Sequence, residues 1–195
     1  REQNPGPAQQ RGFKQPLWDG CPLNGQTILL IGEQGLGDSL QFIRYAKPVS
    51  AAGGNVVVEC QPELIPLFSQ MKEINTLVGK GEPLPAFDFY APLMSLPHIL
   101  GTELGNIPAD IPYLSGTDMP NPVSIVSSTK IKVGIVWAGN PKNIYDHKRS
   151  ISIDSFSPLV EVPDTQFYSL QVGHGSTDLA TSPFAVDVID LNPQL

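Results

Sequence analysis

Three glycines, Gly32, Gly35 and Gly37, and then an aspartate, Asp38, close the stretch "ILLIGEQGLGDS". Glycine lets backbone N–H groups approach a ligand with no Cβ in the way. A helix that starts just after such a loop presents unpaired N–H groups and a partial positive charge. Two roles are open for a carboxylate at that place. As a cap, Asp38 would satisfy the helix start while Gln41, three residues on, reaches back, a variant of the capping box. As a base, an ionised carboxylate at a strand end could take the proton of a ligand hydroxyl. The two roles can coexist. Gly35, Leu36, Gly37 and Gln41 are the neighbours expected to contact a substrate.

The loop does not fit two familiar phosphate-binding patterns. No Lys-Ser/Thr pair follows the glycines, so it is not a P-loop, and Leu40 stands where a G-x-G-x-x-G fingerprint needs its third glycine. Glu59 lies about 20 residues on, where a dinucleotide site would place its ribose-binding acid, which keeps a nicotinamide or flavin reading open. A second cluster, "WAGNPKNIYDHKRS", holds Lys142, His147, Lys148 and Arg149 in an otherwise acidic chain. Lys148 or Arg149 could pair with a phosphate, Arg149 in bidentate fashion; the alternative is a solvated loop. Asn140 could bind a ligand or make a turn. Trp137 could stack on a sugar or fill a core. His98, His147 and His174 share no metal-ligand spacing with one another or with the cysteines, so no metal is expected.

These residues need elements to position them. Thr27–Ile31 reads as a buried parallel strand, and 39–52 as a helix whose face carries Phe42, Ala46 and Val49 and which glycines close. Strands are expected at 55–59, in "INTLVGKG" and in "FDFYAPL", with a helix opening at Pro62 and running to about Met71. A helical turn or two is expected in "LMSLPHILG". Residues 102–129 read as a long irregular link. The theme then restarts with a strand over 131–137, a short helix in "SISIDSFSPLV", and strands in "QFYSLQVG" and "FAVDVIDL". Strands alternating with helix-sized segments predict an α/β fold, a Rossmann-like parallel sheet with helices on both faces.

The bulk numbers narrow the function. A net charge of −7 on 195 residues argues against a general nucleic-acid surface. No apolar run approaches the roughly 20 residues that span a bilayer. Two cysteines, Cys21 and Cys60, do not make a disulfide scaffold, and Cys60 reads as a buried thiol. The 20 prolines cluster in apparent connections, and the polar, Pro-rich 1–24 reads as a linker from something upstream. The chain does not begin with Met, so a fragment is expected, and the cytoplasm is the default compartment.

Six segments in this order, "PLWDG", "GEQGLGDSLQFIRYA", "FDFYAPLMSLPHILGT", "IPADIPYL", "KVGIVWAGNP" and "RSI", resemble the N-terminal half of a glycosyltransferase-like region. That region follows tetratricopeptide repeats in many bacterial proteins and is related to the heptosyltransferases, glycosyltransferase family nine, of GT-B fold. The resemblance covers Pro16 to the end and is most specific in "GEQGLGDSLQF". It implies that Asp38, after Gly37, is the catalytic base of an inverting sugar transfer. It also implies a nucleotide-sugar donor, a hydroxyl acceptor on a glycan or protein, and tetratricopeptide repeats upstream. Residues 25–195 are then expected to be one N-terminal, acceptor-side domain, inactive without a C-terminal donor domain. The alternative of a different class is a non-catalytic interaction or glycan-binding module of a repeat scaffold.

Overall fold

A computed structural model gives the fold and describes residues 11–116, 123, 125 and 128–194. The chain divides near residue 120 into two compact units, each with its own parallel sheet. The architecture is α/β, with parallel sheets flanked by short helices.

The first unit contains β1 (Thr27–Ile31), β2 (Asn55–Cys60), β3 (Thr76–Gly79) and β4 (Phe89–Pro92), in the order β3-β2-β1-β4. All pairs are parallel, and Ile31 lies level with Glu59 on one side and Pro92 on the other. The order runs outward from β1 through β2 to β3 and then returns to the other side of β1. The reversal between β1 and β4 is the switch point at which open α/β sheets bind ligands, outside the carboxyl ends of the strands.

Period-2 alternation splits the β1 side chains between the two faces. Ile28 and Leu30 join Val56, Val58 and the helices in the larger core. Leu29 and Ile31 join Val57, Val78 and Tyr90 on the opposite face, where Phe13, Leu84 and Phe87 cover them. The helices are α1 (Leu36–Phe42), α2 (Ala46–Ala51), α3 (Ile65–Phe68) and α4 (Leu96–Ile99). The single helix expected over 39–52 is thus two, joined by a 3-10 turn at Ile43–Tyr45. Pro48 explains the break: it has no N–H for the Arg44 carbonyl, and its ring crowds that carbonyl. Gly53, at φ +84°, ends α2 as expected.

The expectation of a linker over 1–24 is corrected for the described part of it. Trp18 is 1% exposed and Leu23 is fully buried in the larger core. Trp18 N–H donates to the Tyr90 carbonyl at 2.9 Å, and Tyr90 N–H donates to the Pro16 carbonyl at 3.2 Å. The prolines around Trp18 disguised a segment that docks along β4. Residues 1–10 lie outside the described part.

The expected single domain over 25–195 is also corrected. The second unit has β5 (Ile131–Ile135), β6 (Thr165–Ser169) and β7 (Val188–Asp190), paired in that order and all parallel. A separate core of Ile135, Trp137, Ile153, Phe167, Leu179, Phe184 and Val188 supports it, with α5 (Ser157–Val160) alongside. Sequence periodicity finds strands but does not say which sheet each joins. Of the expected link over 102–129, residues 117–122, 124, 126 and 127 lie outside the described residues. Tyr113 and Leu114 pack on the larger core, so that stretch is partly built into the first unit.

Cys60 is fully buried in β2, and burial, with Glu59 beside it, pushes its thiol up to about 11. In the native protein Cys60 should therefore react with a thiol reagent at pH 8 on the order of a hundredfold more slowly than a free cysteine. Both cysteines should react after denaturation. Rapid native labelling that mass spectrometry maps to Cys60 would contradict the buried placement.

Candidate functional site

The glycine loop leaves β1 at its carboxyl end, beside β2. Gly32 N–H donates to the Glu59 carbonyl at 2.8 Å. A Cβ on Gly32 would lie 3.0 Å from Ser39 Oγ and 3.2 Å from the Glu59 carbonyl oxygen. Glycine is needed here for close packing of loop, strand and helix. Ser39 is buried and donates to Gln61 Oε1 at 2.9 Å, and Gln61 Nε2 donates to the Gln34 carbonyl at 2.7 Å. Gln61, just past β2, thus holds the loop from the neighbouring strand. As a lone amide outside any motif it gave no signal in the sequence.

Asp38 is not the N-cap. The helix begins at Leu36 with Gly35 as N-cap, and Asp38 occupies the third helical position. Its Oδ2 accepts the Gly35 N–H at 3.0 Å. Asp38, not Gln41, is therefore the residue that reaches back. The bond orients a half-buried carboxylate over the first turn, where the helix dipole favours its charge. A Cβ on Gly37 would meet nothing within 4 Å, so the loop leaves open space at that position. Leu36 is exposed, and so is Gln41, which lines a separate cavity of about 460 Å³ with Phe42, Pro97 and Leu104.

Arg44 is half-buried and bound to backbone. Its Nε donates to the Gln41 carbonyl at 2.8 Å, its Nη1 donates to the Pro108 carbonyl at 3.1 Å, and its guanidinium lies 4.3 Å from the Tyr113 ring centroid. It clamps the "IPADIPYL" segment to the helix.

Glu33 is the residue the sequence reading passed over. It follows Gly32 in the loop, and its Oε2 is buried without a hydrogen-bond partner among the described residues. Burial holds its carboxyl above the usual range, and the negative charge of Asp38 pushes the same way; the backbone amides of Glu33, Met94 and Leu93 pull against both. The raised value bears on stability. Proton binding by the folded state favours folding fully below the unfolded pKa, and this contribution is lost as pH rises through the higher folded pKa. Glu33→Gln should therefore raise Tm at pH 7, and the gain should vanish below about pH 4, where Glu33 is protonated in both states. Thermal melts across that range check it; a gain independent of pH would contradict the buried-charge account.

The other expected site residues fall in the second unit, on the loop after β5. Trp137 is 3% exposed and packs in the core with Ile135 and Ile153, so it has no open ring face for a sugar. Of its two readings, core holds and sugar stacking does not. Asn140 is exposed, and its Oδ1 accepts the Lys142 N–H at 3.0 Å, the turn alternative. Lys148 and Arg149 are exposed and make no ion pair among the described residues; Lys148 Nζ lies 5.7 Å from the Tyr145 ring centroid. Ser150 Oγ ties the loop by accepting the Gly139 N–H and donating to Asp146, both at 2.8 Å. Gln171, 2% exposed, accepts from the Trp137 and Ala138 N–H groups at 3.1 and 3.0 Å and donates to the Ala138 and His174 carbonyls at 2.9 and 2.6 Å. One buried amide thus joins the loops after β5 and β6.

Comparison of the chain with protein-family models, with curated proteins and with solved structures gives no match in any of the three. The site must therefore be judged on its geometry. Among the described residues no group of three His, Cys, Asp or Glu could hold a metal ion, and no helix is long and apolar enough to cross a membrane. The dinucleotide alternative meets a specific obstacle in the first unit. Glu59, its expected ribose partner, is 2% exposed and already ion-paired with Arg11.

Proposed function

We propose that the first unit is the acceptor-side, base-carrying part of an inverting glycosyltransferase that uses a nucleotide-sugar donor in the cytoplasm. The observation that carries this reading is the Asp38 carboxylate. It is fixed by the Gly35 N–H on a glycine loop at the carboxyl end of a central parallel strand, next to the sheet's switch point. A hydroxyl placed against Asp38 would give up its proton as its oxygen attacks the anomeric carbon. The nucleoside diphosphate would leave from the opposite face of the sugar. Holding both reactants in line supplies much of the rate.

In the second unit, the exposed Lys148 and Arg149 remain the candidate partners of the donor phosphates, with Asn140 beside them on the same loop. The sequence resemblance supports both assignments, and with them the tetratricopeptide repeats upstream and the donor domain. The test is sugar transfer by the intact protein with and without Asp38→Asn. No transfer by the wild-type protein would leave the interaction-module reading in possession, and retained turnover by Asp38→Asn would remove Asp38 as the base.

A further inference from the structure

A cavity of about 300 Å³ opens at the carboxyl ends of β1, β2 and β3, lined by Arg11, Gly32, Glu33, Glu59, Lys80 and Gly81. Ile31 lines it too; the residues come from four separate segments, and a mainly apolar wall carries four charged side chains, Arg11, Glu33, Glu59 and Lys80. Glu59, inside β2, is 2% exposed and ion-paired with Arg11, which reaches it from the amino-terminal arm. Arg11 is itself held by the arm, its guanidinium 4.9 Å from the Phe13 ring centroid, and Phe13 packs edge-on against Phe87 and Tyr90.

Two groups in the lining keep unused capacity. One oxygen of Glu33 is buried without a partner, and Lys80 makes no ion pair among the described residues.

The charges choose the ligand. Two carboxylates and two cations sum to zero, so the lining attracts neither a phosphate nor a divalent cation strongly. Acceptors and donors side by side suit hydroxyl groups, each of which both donates and accepts. Ligand sites run from about 300 to 1,000 Å³. This one stands at the lower end, fit for one ring and too small for a dinucleotide.

We infer that the cavity binds one neutral sugar ring, with Glu33 and Lys80 as its hydroxyl partners and the Arg11–Glu59 pair as part of its wall. Its assignment as part of the acceptor rests on the sugar-transfer reading; the binding itself does not.

The experiment is saturation-transfer NMR on the full chain with the methyl glycosides of glucose, galactose and mannose, and separately with inorganic phosphate. At least one glycoside should bind in the millimolar range. Lys80→Met, a surface change that spares the core, or Glu33→Gln should weaken that binding about tenfold or more. Absence of binding by all three glycosides overturns the inference. So does binding that neither Lys80→Met nor Glu33→Gln alters, and so does binding of phosphate in place of the glycosides. Glycoside binding together with undiminished transfer by Asp38→Asn would keep the cavity and remove the base, so the two readings fail separately.

Discussion

Asp38→Asn in the intact protein should leave the fold in place and cut sugar transfer by a factor on the order of 10²–10⁴, the usual contribution of a positioned general base. Structure and chemistry separate at this residue because its two jobs use different properties. The structural job needs an acceptor for the Gly35 N–H at 3.0 Å, and an asparagine carbonyl oxygen supplies one. The lost charge in the first helical turn costs about 0.3–1 kcal/mol. The chemical job needs a group that can take a proton, and an amide cannot. Unchanged circular dichroism with lost turnover is the expected pair of results. Asp38→Ala makes the useful contrast, since it removes the hydrogen bond too and should lower Tm as well as activity. Undiminished turnover by Asp38→Asn would end the assignment of Asp38 as base, and would leave it as a first-turn acid that fixes the loop.

How much of this could be read in the sequence differs from element to element. The β1–loop–α1 unit was legible because an apolar run, a glycine loop and a helical apolar face follow one another without interruption. The helix start was misplaced by three residues. Aspartate is a common N-cap, and nothing local shows that the chain turns helical before it, on a glycine cap. Pro48 interrupts the helix, but apolar periodicity carries across it, so 39–52 read as one element. Trp18 was lost among prolines, whose count argues for a linker only where no large side chain is at hand to be buried. Glu33, Gln61 and Gln171 gave no signal because each acts singly, through burial or through bonds to backbone on a distant strand. Trp137 carried both readings: its place after a strand allowed a ligand, and its size made it core. The division near residue 120 was hidden because each half repeats the same strand-and-helix rhythm.

Trp18→Ala should destabilise the first unit by about 3–5 kcal/mol, the range for deleting a large buried aromatic. Trp18 is 1% exposed and sits in the same core as Leu23, Leu93 and Leu96. Its indole N–H donates to the Cys21 carbonyl at 2.9 Å, so the substitution removes that bond as well as the packing. The loss is a large share of the 5–15 kcal/mol that holds a typical domain together. Truncation before Gly25 should be worse, since it also removes Leu23, Phe13 and the Arg11 partner of Glu59. Removing Arg11 also leaves the buried Glu59 carboxylate without its ion-pair partner, a further cost. Denaturant titration of the wild type, Trp18→Ala and the truncated chain, followed by far-ultraviolet circular dichroism, measures all three. The second unit gives an internal control, because its core of Ile135, Phe167 and Val188 contains none of the deleted residues. If the truncated chain unfolds at the wild-type midpoint, residues 11–24 are a tether after all. The Arg11–Glu59 pair that completes the sugar cavity then contributes nothing to the fold.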